Sequence, residues 1–344
     1  MIRQLRGKIV LSLVFGMLVI AGLSLVADAR KLTAALSDFA WELTPLILGL
    51  TLFNYALRFL KWQYYLHLIG VRGLRTRDSL GIFFSAFTMV MTPGKVGELL
   101  KSYLLRRVAG TPVAVSAPII VAERLTDGLA MVALAALGLA QSRFGWPVLA
   151  LTLAGALAGI AIVQHRPTVE RLLRAGERIG PLSTRIHHLR DFLGSARELL
   201  RPRPLALAVG IGFVSWLGEC VAFYLVLIGL GLPGSWSLLL AATSILALAT
   251  LLGSASMLPG GLGVADASIA GLLLAAVASP LMTGDVAVAA SLLIRFATLW
   301  FGVILGMVVL ALFRRHLGAL PELGQLGEEP VADGYGPGVT APQD

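Results

Sequence analysis

Glu123-Arg124-Leu125-Thr126-Asp127 sets three formal charges within five residues, about ten residues into an apolar run over 112–140. A charge at the centre of a hydrocarbon layer costs roughly 2.5–3.5 kcal/mol, so three unpaired ones would oppose insertion by about 8–10 kcal/mol. They must be paired or wetted. Arg124 and Asp127 stand at i,i+3 and Glu123 and Asp127 at i,i+4, so a helix could carry all three on one flank. Glu219 and Arg295 sit in the same kind of place, each near the middle of its own apolar run. Such groups either pin helix packing as local ion pairs or line a polar path for a charged headgroup or a proton. A guanidinium offers a fork of N–H donors suited to phosphate.

Two similar motifs accompany these charges: Met91-Thr-Pro-Gly-Lys-Val-Gly-Glu98 and Met257-Leu-Pro-Gly-Gly-Leu-Gly-Val264. Pro93, Gly94 and Gly97 in the first, and Pro259, Gly260, Gly261 and Gly263 in the second, break runs that would otherwise be helical. Arg124 follows Pro93 by 31 residues and Arg295 follows Pro259 by 36, which makes the two arginines plausible repeat mates. The helix starts after each Pro-Gly would offer unsatisfied N–H groups and a positive dipole end, and with the arginines would form an anion site. Glu98 and Lys101, after the first motif, and Asp266, after the second, fall in those opening turns. Carboxylates there are ordinary caps; as proton or cation binders they are candidates because they flank the same cavity. Asn54, Arg58 and Lys61 recur on one face of the run over 43–68. Snorkelling to inner-leaflet headgroups accounts for Lys61 as readily as substrate capture does.

The elements that must hold these residues follow from composition. The chain has 344 residues, 57% hydrophobic and 14% charged, with a mean hydropathy of +0.84. These values are outside the range of soluble globular domains and define an integral membrane protein. The net charge of +9 comes from basic residues lying between apolar spans, which argues against nucleic acid and for topology signals and anionic lipid. A lone Cys220 excludes a disulfide framework and a Cys-based metal cluster. No metal or cofactor is expected.

Apolar segments lie at about 9–27, 43–68, 79–92, 97–108, 112–140, 146–163, 204–231, 236–257, 264–278 and 286–312. The first follows Arg3, Arg6 and Lys8 and precedes Ala27-Asp28-Ala29, which mimics a signal-peptidase site. It is long for a signal segment and reads as an uncleaved helix. Segments 79–92 and 97–108 are each too short to span comfortably and read as a re-entrant pair. Segments 236–257 and 264–278 are less clear, since the first of them could cross. The alternative is that Pro-Gly merely kinks one helix in each half.

Lys and Arg set the sides. Arg3, Arg6 and Lys8, then Arg72, Arg75 and Arg77, then Lys101, Arg106 and Arg107, and finally Arg314 and Arg315 all fall on one face if both hairpins are re-entrant. That scheme gives six full spans plus two re-entrant hairpins, with both termini in the cytoplasm of a bacterial-type inner membrane. The expected architecture is an all-α polytopic membrane domain over 1–316. Repeat 1 (about 43–140) and repeat 2 (about 204–312) have opposite topology, as in secondary transporters. Between them, 164–203 carries nine Arg against four acids, with Ile186, Leu189, Leu193, Ala196 and Leu200 on one helical face. It reads as an amphipathic helix on the anionic leaflet. Gly155 to Gly159 and Gly302 to Gly306 are GxxxG patterns, which serve intramolecular packing more often than dimer seams; a homodimer stays open. The tail over 317–344 has five acids and no Lys or Arg, and reads as disordered.

The chain lacks GxxxxGK[ST], HExxH and a plausible Ser-His-Asp set, so no ATP-driven or hydrolytic chemistry is expected of it and no catalytic residue is assigned. Taken in order, Pro93-Gly94-Lys95-Val96-Gly97-Glu98 with Lys101, Glu123-Arg124 with Asp127, Leu258 to Val264 with Asp266, and Arg295 resemble the lysylphosphatidylglycerol synthase transmembrane-region family, the flippase-like membrane domain. The resemblance runs from about residue 8 to 314. It implies a membrane domain that moves a lipid between leaflets; the soluble aminoacyl-transferase fused to some members does not carry over. Lys101 stands where Arg is common and Asp266 where Glu is common, and Lys lacks the bidentate fork for phosphate.

The leading expectation is a flippase-like transporter of a phospholipid, glycolipid or other polar-headed lipid. Arg124, Arg295, Glu123, Asp127, Glu219 and Arg58 would bind the headgroup and the Pro-Gly hairpins would gate. Two rivals are a non-transporting scaffold for a lipid-modifying or glycosyl-transferring enzyme and a small-anion channel.

Overall fold

The computed structural model describes residues 29–90, 97–139, 146–177 and 186–317. The apolar run over 9–27, residues 91–96 with Pro93 and Gly94, and the acidic tail lie outside the described residues. The regular elements among the described residues are helical, as a chain in hydrocarbon requires when each backbone polar group must find its partner within the segment.

In chain order the helices are α1 (Ala29–Ser37), α2 (Thr44–Leu68), α3 (Thr76–Ser85), α4 (Leu100–Ala109), α5 (Val113–Leu139), α6 (Trp146–Gln164) and α7 (Arg166–Glu177). The second half holds α8 (Ile186–Leu199), α9 (Pro202–Gly229), α10 (Trp236–Ala255), α11 (Val264–Ala276), α12 (Gly284–Arg295) and α13 (Phe301–Leu317). A 3-10 turn, Ala86–Met89, extends α3, and a π turn, Phe296–Trp300, joins α12 to α13. Among the described residues, five helical segments are long and apolar enough to cross a bilayer: Trp41–Leu68, Pro202–Gly229, Trp236–Ala255, Pro259–Ala276 and Gly284–Phe313. At 27 residues α5 is as long, but it carries the Glu123, Arg124 and Asp127 charges. The protein is an all-α polytopic membrane protein.

Helices α2 and α9 form the central antiparallel pair. Ala40 N donates to Gly229 O (2.9 Å) at one end. Midway, Asn54 Nδ2 donates to Ser215 O (3.0 Å) and Ser215 Oγ returns a bond to Asn54 O (3.2 Å). Lys61 lies against Gly212 further along. As residue numbers rise on α2 they fall on α9. Around this pair the halves exchange neighbours: α10 packs on α5, and α3 with its 3-10 turn packs on α13. Helix α8 packs on α5 and buries Ala196 and Leu199, with His187 and His188 exposed.

Two cores result. One is mainly aliphatic and gathers Leu134, Leu227, Ile245, Leu248 and Ile269 around Phe223. The other is aromatic, with Tyr55, Trp62, Tyr65, Phe83 and Phe87. Between α10 and α11 the second Pro-Gly turn folds back tightly, with Gly253 against Gly261 and Ala265. That turn uses positive φ at Met257 (55°), Gly260 (59°), Gly261 (67°) and Gly263 (82°), a conformation that glycine adopts without the steric penalty other residues incur.

Of the two GxxxG patterns, Gly302 and Gly306 pack within the chain against Tyr55, Phe87 and the backbone at Phe84 and Thr88, whereas Gly155 has no neighbour within 4 Å of where a Cβ would stand. At Gly138, a Cβ would collide with Leu240 O and the Ser244 hydroxyl. Gly138→Ala should therefore destabilise by about 1–3 kcal/mol, by overpacking the α5–α10 contact. Gly155→Ala should leave the melting temperature of detergent-solubilised protein unchanged, and comparing the two melts checks the packing.

Candidate functional site

The two cores meet at a cavity of about 150 Å³, the volume of roughly five water molecules. Each of its charged residues was already singled out by the sequence: Arg58 on α2, Glu98 before α4, Arg124 on α5, Glu219 on α9 and Arg295 at the end of α12. Gly260 and Gly261 of the second motif contribute backbone, and Tyr55, Trp216, Thr250 and Ser254 contribute polar tips.

Four buried ion pairs surround it. Lys61 Nζ meets Asp127 Oδ1 at 2.5 Å, and Lys101 Nζ meets Glu123 Oε2 at 2.7 Å. Arg124 Nε meets Glu98 Oε2 at 3.0 Å, and Arg295 Nε meets Asp266 Oδ1 at 3.1 Å. The lysine pairs are sealed from the cavity. Lys101 also lies over the rings of Trp62 (5.1 Å) and Phe83 (4.8 Å), which gives a buried cation two further electrostatic partners.

The structure therefore divides the charged run on α5. Glu123 and Asp127 share a flank and face lysines, while Arg124 faces the cavity; the three do not lie on one flank. Successive helical residues stand about 100° apart, so Glu123 and Arg124 must diverge. Snorkelling does not describe Lys61, which is 1% exposed and held by Asp127. Lys101 is likewise occupied by Glu123. Asp266 is both cap and ion-pair partner: its Oδ2 accepts from Gly263 N at 2.8 Å, so the opening turn of α11 already holds a carboxylate of its own. Arg295 Nη2 also donates to Gly260 O at 2.6 Å, tying the Pro-Gly turn to α12. Gly97 stands in a 3-10 turn that leads into α4.

Two charged groups on the cavity wall belong to none of these pairs. Arg58 has no carboxylate within ion-pair distance among the described residues and rests on the Phe87 ring at 5.8 Å. Glu219 is 2% exposed, and its Oε2 has no hydrogen-bond partner. Trp216 Nε1 is similarly buried without an acceptor. The sequence reading missed Trp216 and Tyr55. A signal was present, because Trp216 lies three residues before Glu219 and Tyr55 three before Arg58, spacings that put each pair on one helical face. Tyr55 donates to Thr298 O (2.6 Å), in the π turn.

The fold and cavity define a polytopic helical membrane protein with a polar, charge-lined chamber between two apolar cores. The chain belongs to the family described as lysylphosphatidylglycerol synthase TM region, whose model matches residues 9–306. It is also similar to a UPF0104 membrane protein of Methanothermobacter thermautotrophicus, with 30% identity over 152 residues. That match covers 44% of this chain and 43% of the relative, so it spans less than half the relative's length.

Removing one partner of a buried pair strands the other charge at a cost of about 3–5 kcal/mol, whereas replacing both with apolar groups of similar size is often close to neutral. Lys61→Met and Asp127→Leu should each lower the melting temperature of the solubilised protein strongly. The double variant should regain most of the loss.

Proposed function

We propose that this protein is a lipid flippase-like transporter that moves a polar-headed lipid between leaflets, with the headgroup in the charged cavity and the tails in the bilayer. The observation that carries this reading is the cavity itself: Arg58, Arg124 and Arg295 converge on one small chamber inside an otherwise apolar helix assembly. Guanidinium forks bind phosphate well, and a desolvated setting strengthens each contact. An anionic or zwitterionic headgroup suits this lining. No enzymatic step is assigned to the chain; membrane lipids are its substrates and partners.

The reading includes an inverted repeat, and three features of the packing support it. Helices α2 and α9 are antiparallel through reciprocal bonds between Asn54 and Ser215. Helix α10 packs on α5 as α3 packs on α13. In each half, an arginine on a long helix holds the carboxylate that follows a Pro-Gly motif: Arg124 with Glu98, and Arg295 with Asp266. Such pseudo-symmetric halves, with broken helices near a central site, are suited to exposing that site to each side in turn. The membrane would be a bacterial-type inner membrane, with both termini on the cytoplasmic side and the basic faces of α7 and α8 toward its anionic leaflet.

The test is reconstitution of the full chain in vesicles containing fluorescently labelled phosphatidylglycerol or phosphatidylcholine, with dithionite added outside. Transport should expose inner-leaflet label to bleaching. Arg58→Ala should slow it about tenfold or more, the effect of losing one charge-assisted contact, without the folding defect expected of the paired arginines. Bleaching that stops at the outer leaflet for every headgroup would sink the proposal in favour of the scaffold. Ionic current without lipid movement would favour an anion channel.

A further inference from the structure

Glu219 occupies a position that needs explanation beyond headgroup binding. Four acids near the cavity have a basic partner: Asp127 has Lys61, Glu123 has Lys101, Glu98 has Arg124 and Asp266 has Arg295. Those pairs are internally neutral. Among the described residues, this leaves on the chamber wall one cation, Arg58, and one carboxylate, Glu219, outside those pairs. Of the two, the carboxylate is the group that can accept a proton.

We propose that Glu219 takes up a proton when an anionic headgroup binds beside Arg58, so that anion and proton occupy the cavity together. The idea rests on the cavity being the headgroup site. With Glu219 ionised, the Arg58 charge is already offset, and an entering phosphate meets a carboxylate of its own sign. With Glu219 protonated, the chamber carries one uncompensated positive charge and gains an O–H donor. Its Oε2, which lacks a partner, is the atom that would hold the proton and turn it toward the headgroup. The proton comes from the bathing solution and returns there on release.

Among the described residues, the surroundings of Glu219 contain no other group able to take that part. From α2 it faces Thr51 and Tyr55, with Arg58 beyond ion-pair distance; on its own helix its neighbours are Trp216 and Cys220. Helices α5 and α12 present Arg124 and Arg295, each held by its own carboxylate, and α10 presents Thr250 and Ser254. Binding linkage is reciprocal: if protonation favours the anion, the anion favours protonation by the same factor.

The experiment is titration calorimetry of the solubilised full chain with dihexanoyl phosphatidylglycerol from about pH 5.5 to about pH 8.5, in buffers of different ionisation enthalpy. Within the window where Glu219 titrates, the affinity should fall by up to about tenfold per pH unit, and binding should take up about one proton per lipid. Glu219→Gln should bind with an affinity that no longer changes with pH and without proton uptake. Wild-type binding with no proton exchange would overturn the coupling and leave the headgroup site standing, and this measurement decides even where the variant fails to fold. Proton uptake that persists in Glu219→Gln would overturn the assignment to Glu219. Absence of binding at any pH would overturn the headgroup site and the coupling with it.

Discussion

An ionised side chain among helices that lie in lipid has no water to compensate it, so its partner must arrive on a neighbouring element at a matching height. Helix α5 shows what that demands. Glu123 reaches Lys101 on α4, Arg124 reaches Glu98 in the turn before α4, and Asp127 reaches Lys61 on α2. A hydrophobic face tolerates some sliding along its neighbour, because methyl groups are interchangeable. Three ion pairs on adjacent turns do not, since a shift of one residue strands charges at several kcal/mol each. The electrostatics thereby set the register of α2, α4 and α5, and hydrophobic packing fills the space that register leaves.

The same constraint separates structural from available charge. Lys61, Lys101, Glu123 and Asp127 are consumed in pairing and sit behind the aromatic core. Arg58 on α2 and Glu219 on α9 are left on the chamber wall, one turn to either side of the point where the two helices are joined. Both helices are pinned there by Asn54 and Ser215, whose side chains satisfy each other's backbone carbonyls. The polar contact that joins the helices thus lies beside the polar groups that do not pair.

Much of the fold was legible in the sequence because hydropathy and helix-breaking residues are local signals. The long apolar segments over 43–68, 112–140, 204–231 and 286–312 return as helices α2, α5, α9 and α12–α13, and the amphipathic pattern ending at Leu200 returns as α8 packed on α5. Arg124, Glu219 and Arg295 were recognisable as charges too costly to be idle, and Arg58 as one of a polar face on its helix; the four do share a cavity. Their partners were not recognisable. Lys61 and Asp127 are 66 residues apart and Arg295 and Asp266 are 29 apart, and no periodicity within one helix encodes which long side chain on another will reach it. Spacing along α5 suggested a single polar flank because i,i+3 and i,i+4 neighbours are close; the tertiary partners lie in different directions and pull the run apart.

The second Pro-Gly turn draws these strands together. Its backbone needs left-handed conformations at Gly260, Gly261 and Gly263, which leave its carbonyls and amides without the regular helical ladder. Arg295 and Asp266 replace that ladder: the carboxylate takes Gly263 N, the guanidinium takes Gly260 O, and the two side chains take each other. One ion pair therefore satisfies a broken backbone, joins α11 to α12 and sets a guanidinium on the chamber wall. Loss of either residue would expose an unpaired charge and an unpaired backbone group at once, in a place where water is scarce. That double dependence is a physical reason for an arginine to stand at position 295, where the planar guanidinium presents fixed donors to both acceptors at once.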